Sequence, residues 1–98
     1  MSTEHPEASA AAVGPVLRRS PISSALIEAM RVGNPRLEVV DRGGYLRVFA
    51  PERLRVDRTA VEAVSGRPFV LPGDLEQVMV SFSGLLRVTA DLIEWRAR

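Results

Sequence analysis

The residues best placed to do chemistry are the serines of Ser81-Phe82-Ser83-Gly84, which close the stretch GRPFVLPGDLEQVMVSFSG at residues 66–84. A serine flanked by small residues can be a nucleophile, a phosphate cradle, a turn, or a surface that another protein reads. A nucleophilic serine needs a placed base. The only histidine is His5, in the first dozen residues, outside any periodic segment. Without a histidine in the folded part, the commonest general base at neutral pH is missing, and a turn or surface serine is the better reading.

The acidic residues do not form a catalytic pair. Glu28, Glu38, Glu52, Glu62, Glu76 and Glu94 are each expected on a solvent-facing position of their own element. No Glu-x-x-His or His-x-x-x-His spacing occurs, there is no cysteine, and no dense Asp/Asn run surrounds a glycine. Zinc, iron, calcium and thiolate chemistry therefore have no candidates. Gly43-Gly44 lies between two strand-like runs with no lysine after it, so it is a hairpin signal and not a phosphate loop. Tyr45, Arg47 and Phe49 alternate on one strand face, a faint version of a base-stacking platform. Thirteen basic residues against twelve acidic ones leave a net charge of only +1. That balance disfavours nucleic acid, and a half-buried outer sheet face is the preferred reading of those three residues. No cofactor and no metal are expected.

The elements that must position these residues follow from the pattern. A hydrophobic fraction of 46% over 98 residues suits one small domain, with an aliphatic core because only five residues are aromatic. No apolar run approaches the roughly 20 residues of a membrane helix. The start of the chain lacks a basic, apolar leader, and with no cysteine a cytoplasmic location is expected. Residues 1–12 are small, polar and alanine-rich and are expected to be a disordered tail, leaving residues 13–98 as the domain.

Val13 to Arg18 predicts a short edge strand or an extended lead-in, because Pro15 lacks a donor. Ser20-Pro21 predicts a helix start, with Ile22, Ala25, Leu26, Ala29 and Met30 as its buried stripe and Ile27 off it. Gly33 or Asn34 ends that helix and Pro35 forbids its continuation. Leu37–Val40 and Tyr45–Ala50 predict a hairpin, and Leu54 and Val56 a third strand. A second helix is expected over 58–65, capped by Asp57 or by a Thr59/Glu62 capping box, with Val61 and Val64 facing inward and Gly66 as its stop. Leu75–Phe82 reads as a strand, and Leu85–Val88 with Leu92–Arg96 as a closing hairpin. The order β-α-β-β-β-α-β-β-β predicts an α+β domain with two helices packed on largely antiparallel sheet.

In this order the chain resembles the small effector (coupling) proteins of soluble bacterial diiron monooxygenases. The carrying residues are Val13-Gly14-Pro15-Val16-Leu17-Arg18, Asn34-Pro35, Asp41…Tyr45-Leu46-Arg47-Val48, Ala50-Pro51-Glu52, Leu54, Glu62…Gly66-Arg67-Pro68-Phe69, Leu75-Glu76 and Ser81-Phe82-Ser83-Gly84. The Gly-Arg-Pro-Phe and Ser-Phe-Ser-Gly pieces are most similar to the toluene/alkene branch. The resemblance implies a cofactor-free, non-enzymatic protein that binds a diiron hydroxylase and modulates its active site, substrate access and the coupling of electron transfer to O₂ activation; the oligomeric state is not legible in the sequence, and a monomer in isolation is the default expectation. Physically, such a protein binds one hydroxylase conformation better than another.

With the substrate pocket in the partner, toluene, phenol, a short alkene and isoprene are all compatible. The resemblance implies partner-binding residues at Asn34 and Pro35 after the first helix, and at Ser81, Phe82, Ser83 and Gly84. To these the residue reading adds Ile27 as a hydrophobic contact and Arg67 as a partner for a carboxylate, whereas Phe82 reads more naturally as core. A small-molecule-binding regulatory module of similar build is the alternative reading.

Overall fold

The computed structural model describes residues 12–98, so His5 and most of the expected tail lie outside the described residues. Seven strands and three helices follow in the order β1 (Ala12–Arg18), α1 (Pro21–Gly33), β2 (Glu38–Asp41), β3 (Tyr45–Pro51), β4 (Arg53–Asp57), α2 (Arg58–Ser65), α3 (Gly73–Val78), β5 (Met79–Ser83), β6 (Leu85–Val88) and β7 (Leu92–Arg96). One sheet has the strand order β2-β3-β1-β5, the other β4-β7-β6, and every pairing is antiparallel. The α+β class is as expected, with a helix more than the sequence predicts.

β1 is interior, not an edge. It pairs with β3 on one side and β5 on the other. Pro15 is tolerated because the ladder to β3 lapses at Gly14 and Pro15: Val13 pairs with Ala50 and Val16 with Arg47, with no pair between. Gly14 sits there at φ +145°, and a Cβ on it would stand 2.1 Å from the Val48 carbonyl oxygen. The two backbones approach closely there, which only a residue without a side chain permits.

α1 starts as expected. The Ser20 side chain accepts from the Ser23 N–H at 3.0 Å, and Pro21 occupies the first turn. The helix is buried over a wider arc than one stripe. Ser23 is fully buried, its hydroxyl donating to the Arg18 carbonyl, and Ile27 is buried with it. Ile27 is therefore core and not a residue beside the polar face, because α1 is covered by α2 and α3 as well as β4.

α2 begins directly after Asp57, which makes no side-chain cap bond. The Thr59/Glu62 capping box does not form either: Glu62 binds Arg58 at 2.8 Å and accepts the Phe69 N–H at 2.9 Å. Val61 faces inward, but Val64 is exposed, since α2 is short and buries only one line of contact. Gly66 ends it at φ +71°, its N–H bonded to the Glu62 carbonyl. The Val/Met-rich run at Leu75–Phe82 is half helix. Asp74 accepts the Val70 N–H at 2.8 Å, and a single turn and a half buries Leu75 and Val78 before β5 begins at Met79.

The core is aliphatic, with Leu17, Leu26, Met30, Leu54, Leu75 and Ile93 wholly or nearly wholly enclosed around Trp95. Glu94 is also buried, against the expectation of a solvent-facing side chain. It lies on the central strand of the three-stranded sheet and is held by Arg53 at 2.7 Å.

The Gly14 contact sets a stability test. Gly14→Ala should cost roughly 3 kcal/mol or more, because β1 and β3 must separate to admit the methyl group. Gly43→Ala, at φ +84° with open space around it, should cost about 1 kcal/mol from strain alone. Urea unfolding of both variants checks the order.

Candidate functional site

The stretch from Gly66 to Gly84 is built from two carboxylates. Glu62 on α2 holds the Phe69 N–H, and Asp74 in the first turn of α3 holds the Val70 N–H. Ser65 adds a bond from the Arg67 N–H at 3.2 Å. Phe69 is buried and Leu71 half-buried, so the loop is anchored on the core between its polar ties. Its cis Leu71–Pro72 bond leads into α3. The Phe69 N–H, and then Arg58, hold the Glu62 carboxyl below its ordinary value of 4.5.

The loop and α3 deliver β5 to the edge of the four-stranded sheet. Ser81, Phe82 and Ser83 are exposed there, and Phe82, at 44% exposure, is not a core residue. Val80, the unpaired residue at the bulge where the β1–β5 register shifts, is 54% exposed. Gly84 differs from these three. Half-buried at φ +96°, it would place a Cβ 2.6 Å from the Arg96 carbonyl oxygen and 2.8 Å from the Val13 side chain. It is the corner where the chain passes from one sheet to the other.

Asn34 is also engaged internally. Its amide nitrogen donates to the Met30 carbonyl at 2.7 Å and to the Arg55 carbonyl at 2.8 Å, and its oxygen accepts the Arg55 N–H at 3.2 Å. It clamps the end of α1 to β4. Pro35 beside it is exposed and lines an open groove of about 510 Å³ with Arg36, Arg53 and Arg55. Arg67 is exposed and lines a different groove, of about 1060 Å³, between α1 and the α2–α3 loop, together with Ile22, Val64 and Phe69.

The expected contact residues therefore fall in separate places. Asn34 and Pro35 share one groove, Arg67 another, and Ser81 to Ser83 form a sheet edge that lines neither. Ile27 is internal. The sequence reading missed Val80 and Leu85 as exposed apolar residues beside Phe82. Their signal was the absence of charge from Met79 to Leu86, which on an exposed strand marks an unprotected edge. Among the described residues, no three histidine, cysteine or acidic side chains gather as a metal site. Tyr45 and Arg47 are exposed, with the Arg47 guanidinium 5.3 Å from the centre of the half-buried Phe49 ring. The aromatic face is thus already occupied by the protein's own cation.

Comparison with known proteins places these features in a family. The model of the MmoB/DmpM family matches residues 11–96. The effector subunit of an alkene monooxygenase system from Xanthobacter autotrophicus is 35% identical over 85 residues, covering 85% of this chain and 83% of that protein. A chain in a phenol hydroxylase–regulatory protein complex superposes with a TM-score of 0.79 at 23% identity, over 89% of this chain and 99% of its own length. A second such complex gives 0.72 at 26% identity, over 86% and 99%. The soluble methane monooxygenase regulatory protein B gives 0.68 at 21% identity, over 100% of this chain and 70% of that one.

Two measurements probe the clamps. Asn34→Ala should lose roughly 1–3 kcal/mol of stability, because β4 keeps a donor and an acceptor that the side chain had satisfied. Asn34→Asp should lose more, since a carboxylate cannot donate to two carbonyls and sits at a helix C-terminus. For Glu62, a depressed folded pKa means its contribution is fully present above the unfolded value near 4.5 and is lost as pH falls through the lower folded value. The difference in Tm between the parent and Glu62→Gln should shrink as pH drops below about 4.5, the unfolded value.

Proposed function

The chain belongs to the MmoB/DmpM family, and from that membership we propose that it is the effector component of a multicomponent diiron monooxygenase, acting on the hydroxylase without catalysing a reaction itself. The observation that carries this reading is the 35% identity to an alkene monooxygenase effector subunit across most of both chains. The cytoplasm is the proposed location; among the described residues no helix is long and apolar enough to cross a membrane.

The proposed contact is the β5 edge. Val80 and Phe82 are both exposed on a strand with no charge on it, as are Ser81 and Ser83. An exposed, uncharged strand edge offers both main-chain groups and an apolar anchor to a partner. Pro35 and Arg67 flank separate grooves and serve as peripheral contacts. Ile27, Asn34 and Gly84 act indirectly: Ile27 fills the core under α1, Asn34 fixes β4, and Gly84 sets the corner at which the chain passes from β5 into the second sheet. The effector would bind one conformation of the hydroxylase more tightly and shift its population by that difference in affinity.

Reconstitution tests this. Adding the protein to its purified hydroxylase and electron-transfer components should raise product formed per NADH consumed. Phe82→Ala should leave Tm nearly unchanged and raise the concentration needed for half-maximal stimulation by about tenfold, the scale of an aromatic interface anchor. Equal stimulation by parent and variant at limiting concentration would remove β5 from the interface. No stimulation by the parent would overturn the effector reading.

A further inference from the structure

The near-neutral net charge conceals a segregated one. In the three-stranded sheet, Leu54, Trp95 and Leu86 align across β4, β7 and β6, as do Val56, Ile93 and Val88. These two rows turn inward to the core. Strand alternation then puts the intervening rows on the opposite face. One row is Arg53, Arg96 and Leu85, and the other Arg55, Glu94 and Arg87. Four arginines thus share one sheet face with a single glutamate at its centre, and Asp57, paired with Leu92, lies at its corner.

The glutamate offsets only part of this charge. Glu94 is buried, with Arg53 on one oxygen at 2.7 Å and Arg87 4.0 Å from the other. Arg55 reaches Asp57 only at 3.5 Å, both of them about half exposed. Arg96 has no carboxylate within salt-bridge distance among the described residues. Arginines 53 and 55 also line the groove beside Asn34 and Pro35, where Arg36 adds a further cation. At its other side the face adjoins the uncharged edge. Leu85, 50% exposed, is in line with Arg53 and Arg96 and is one residue from the Gly84 corner of β5.

We propose that this arginine face, from the Arg36 groove across to Leu85, docks an acidic surface of a protein partner, the hydroxylase being that partner. The inference rests on the effector reading. A protein is favoured over a nucleic acid because the face runs into an apolar patch, so an anchor is ringed by charge in the way protein interfaces are built. Guanidinium groups presented in rows suit paired recognition of carboxylates.

The test is binding of the full chain to its purified hydroxylase, with Arg55, Arg87 and Arg96 changed together to Gln, and to Lys in a second variant. Arg53 is left in place because it partners buried Glu94. The parent should bind several-fold more weakly at about 300 mM than at about 50 mM NaCl, as screening predicts. The Gln variant should bind about tenfold more weakly at low salt, with a flatter salt dependence. The Lys variant should recover much of the affinity, which separates lost charge from misfolding. Parent-like affinity and salt dependence in the Gln variant, with stimulation of turnover intact, would overturn the arginine face and leave the effector reading standing. Failure of the parent to bind the hydroxylase would overturn both. Oligonucleotide binding that only the Gln variant loses, with hydroxylase affinity unchanged, would reassign the face to phosphate.

Discussion

Two glycines without room for a side chain fix the close backbone approaches inside the four-stranded sheet and at its junction with the second sheet. Gly14 brings β1 against the Val48 carbonyl of β3, and Gly84 brings the β5–β6 corner against the Arg96 carbonyl and the Val13 side chain. Val13 and Gly14 are adjacent, so one end of β1 touches β3, the β5–β6 corner and the end of β7. Any methyl group added at either glycine would meet backbone, which cannot rotate away as a side-chain end can. The position of β5, and so of the exposed Phe82, is therefore set by contacts on the far side of the strand. The angle between the sheets sets where the apolar edge meets the arginine rows.

The remaining ties are mostly local polar clamps around an aliphatic core. Asn34 joins a helix end to β4, Glu62 and Asp74 pin the loop before β5, and Asp41 pins the β2–β3 turn. The Arg19 side chain and the Gly43 N–H lower the Asp41 pKa. Exposed ion pairs contribute little on their own. Their value here lies in geometry, since each fixes backbone that the core does not reach. The division of labour leaves the apolar residues Val80, Phe82 and Leu85 on the surface without weakening the fold, because Leu75 and Val78 already secure the chain that carries them.

Much of this was legible in the residue order. Ser20-Pro21, the glycine-rich turn at residues 41–44, Leu54 and Val56, and the last hairpin each carry a local signal that outweighs context. The failures share a physical cause. α3 is one and a half turns long, too short for a helical period to emerge from Leu75 and Val78, and its Val/Met-rich sequel has strand propensity. Ile27 and Val64 were misassigned because helix patterns give a face but not how many neighbours cover it. Pro15 in an interior strand, and Glu94 buried under arginines, depend on which strands become neighbours, and pairing is not a local property. The site was half visible: Ser81-Phe82-Ser83-Gly84 stood out as a motif, but not that its aromatic ring is outside and its glycine inside.

The same non-locality hides the charge pattern. Along the chain, arginines and acids alternate, and their sum is close to zero. In three dimensions a strand sends every second residue to one face, and antiparallel register then aligns those residues from β4, β7 and β6. Arg53-Leu54-Arg55-Val56 already contains the period of two that separates cation from core. What no single strand contains is the row made by Arg55, Glu94 and Arg87, where one buried carboxylate gathers guanidinium groups from its neighbours. Burying Glu94 requires compensating cations, and holding them there concentrates positive charge on one side of a protein whose net charge is small. A structural need of the sheet and an electrostatic face for a partner thus arise from the same residues.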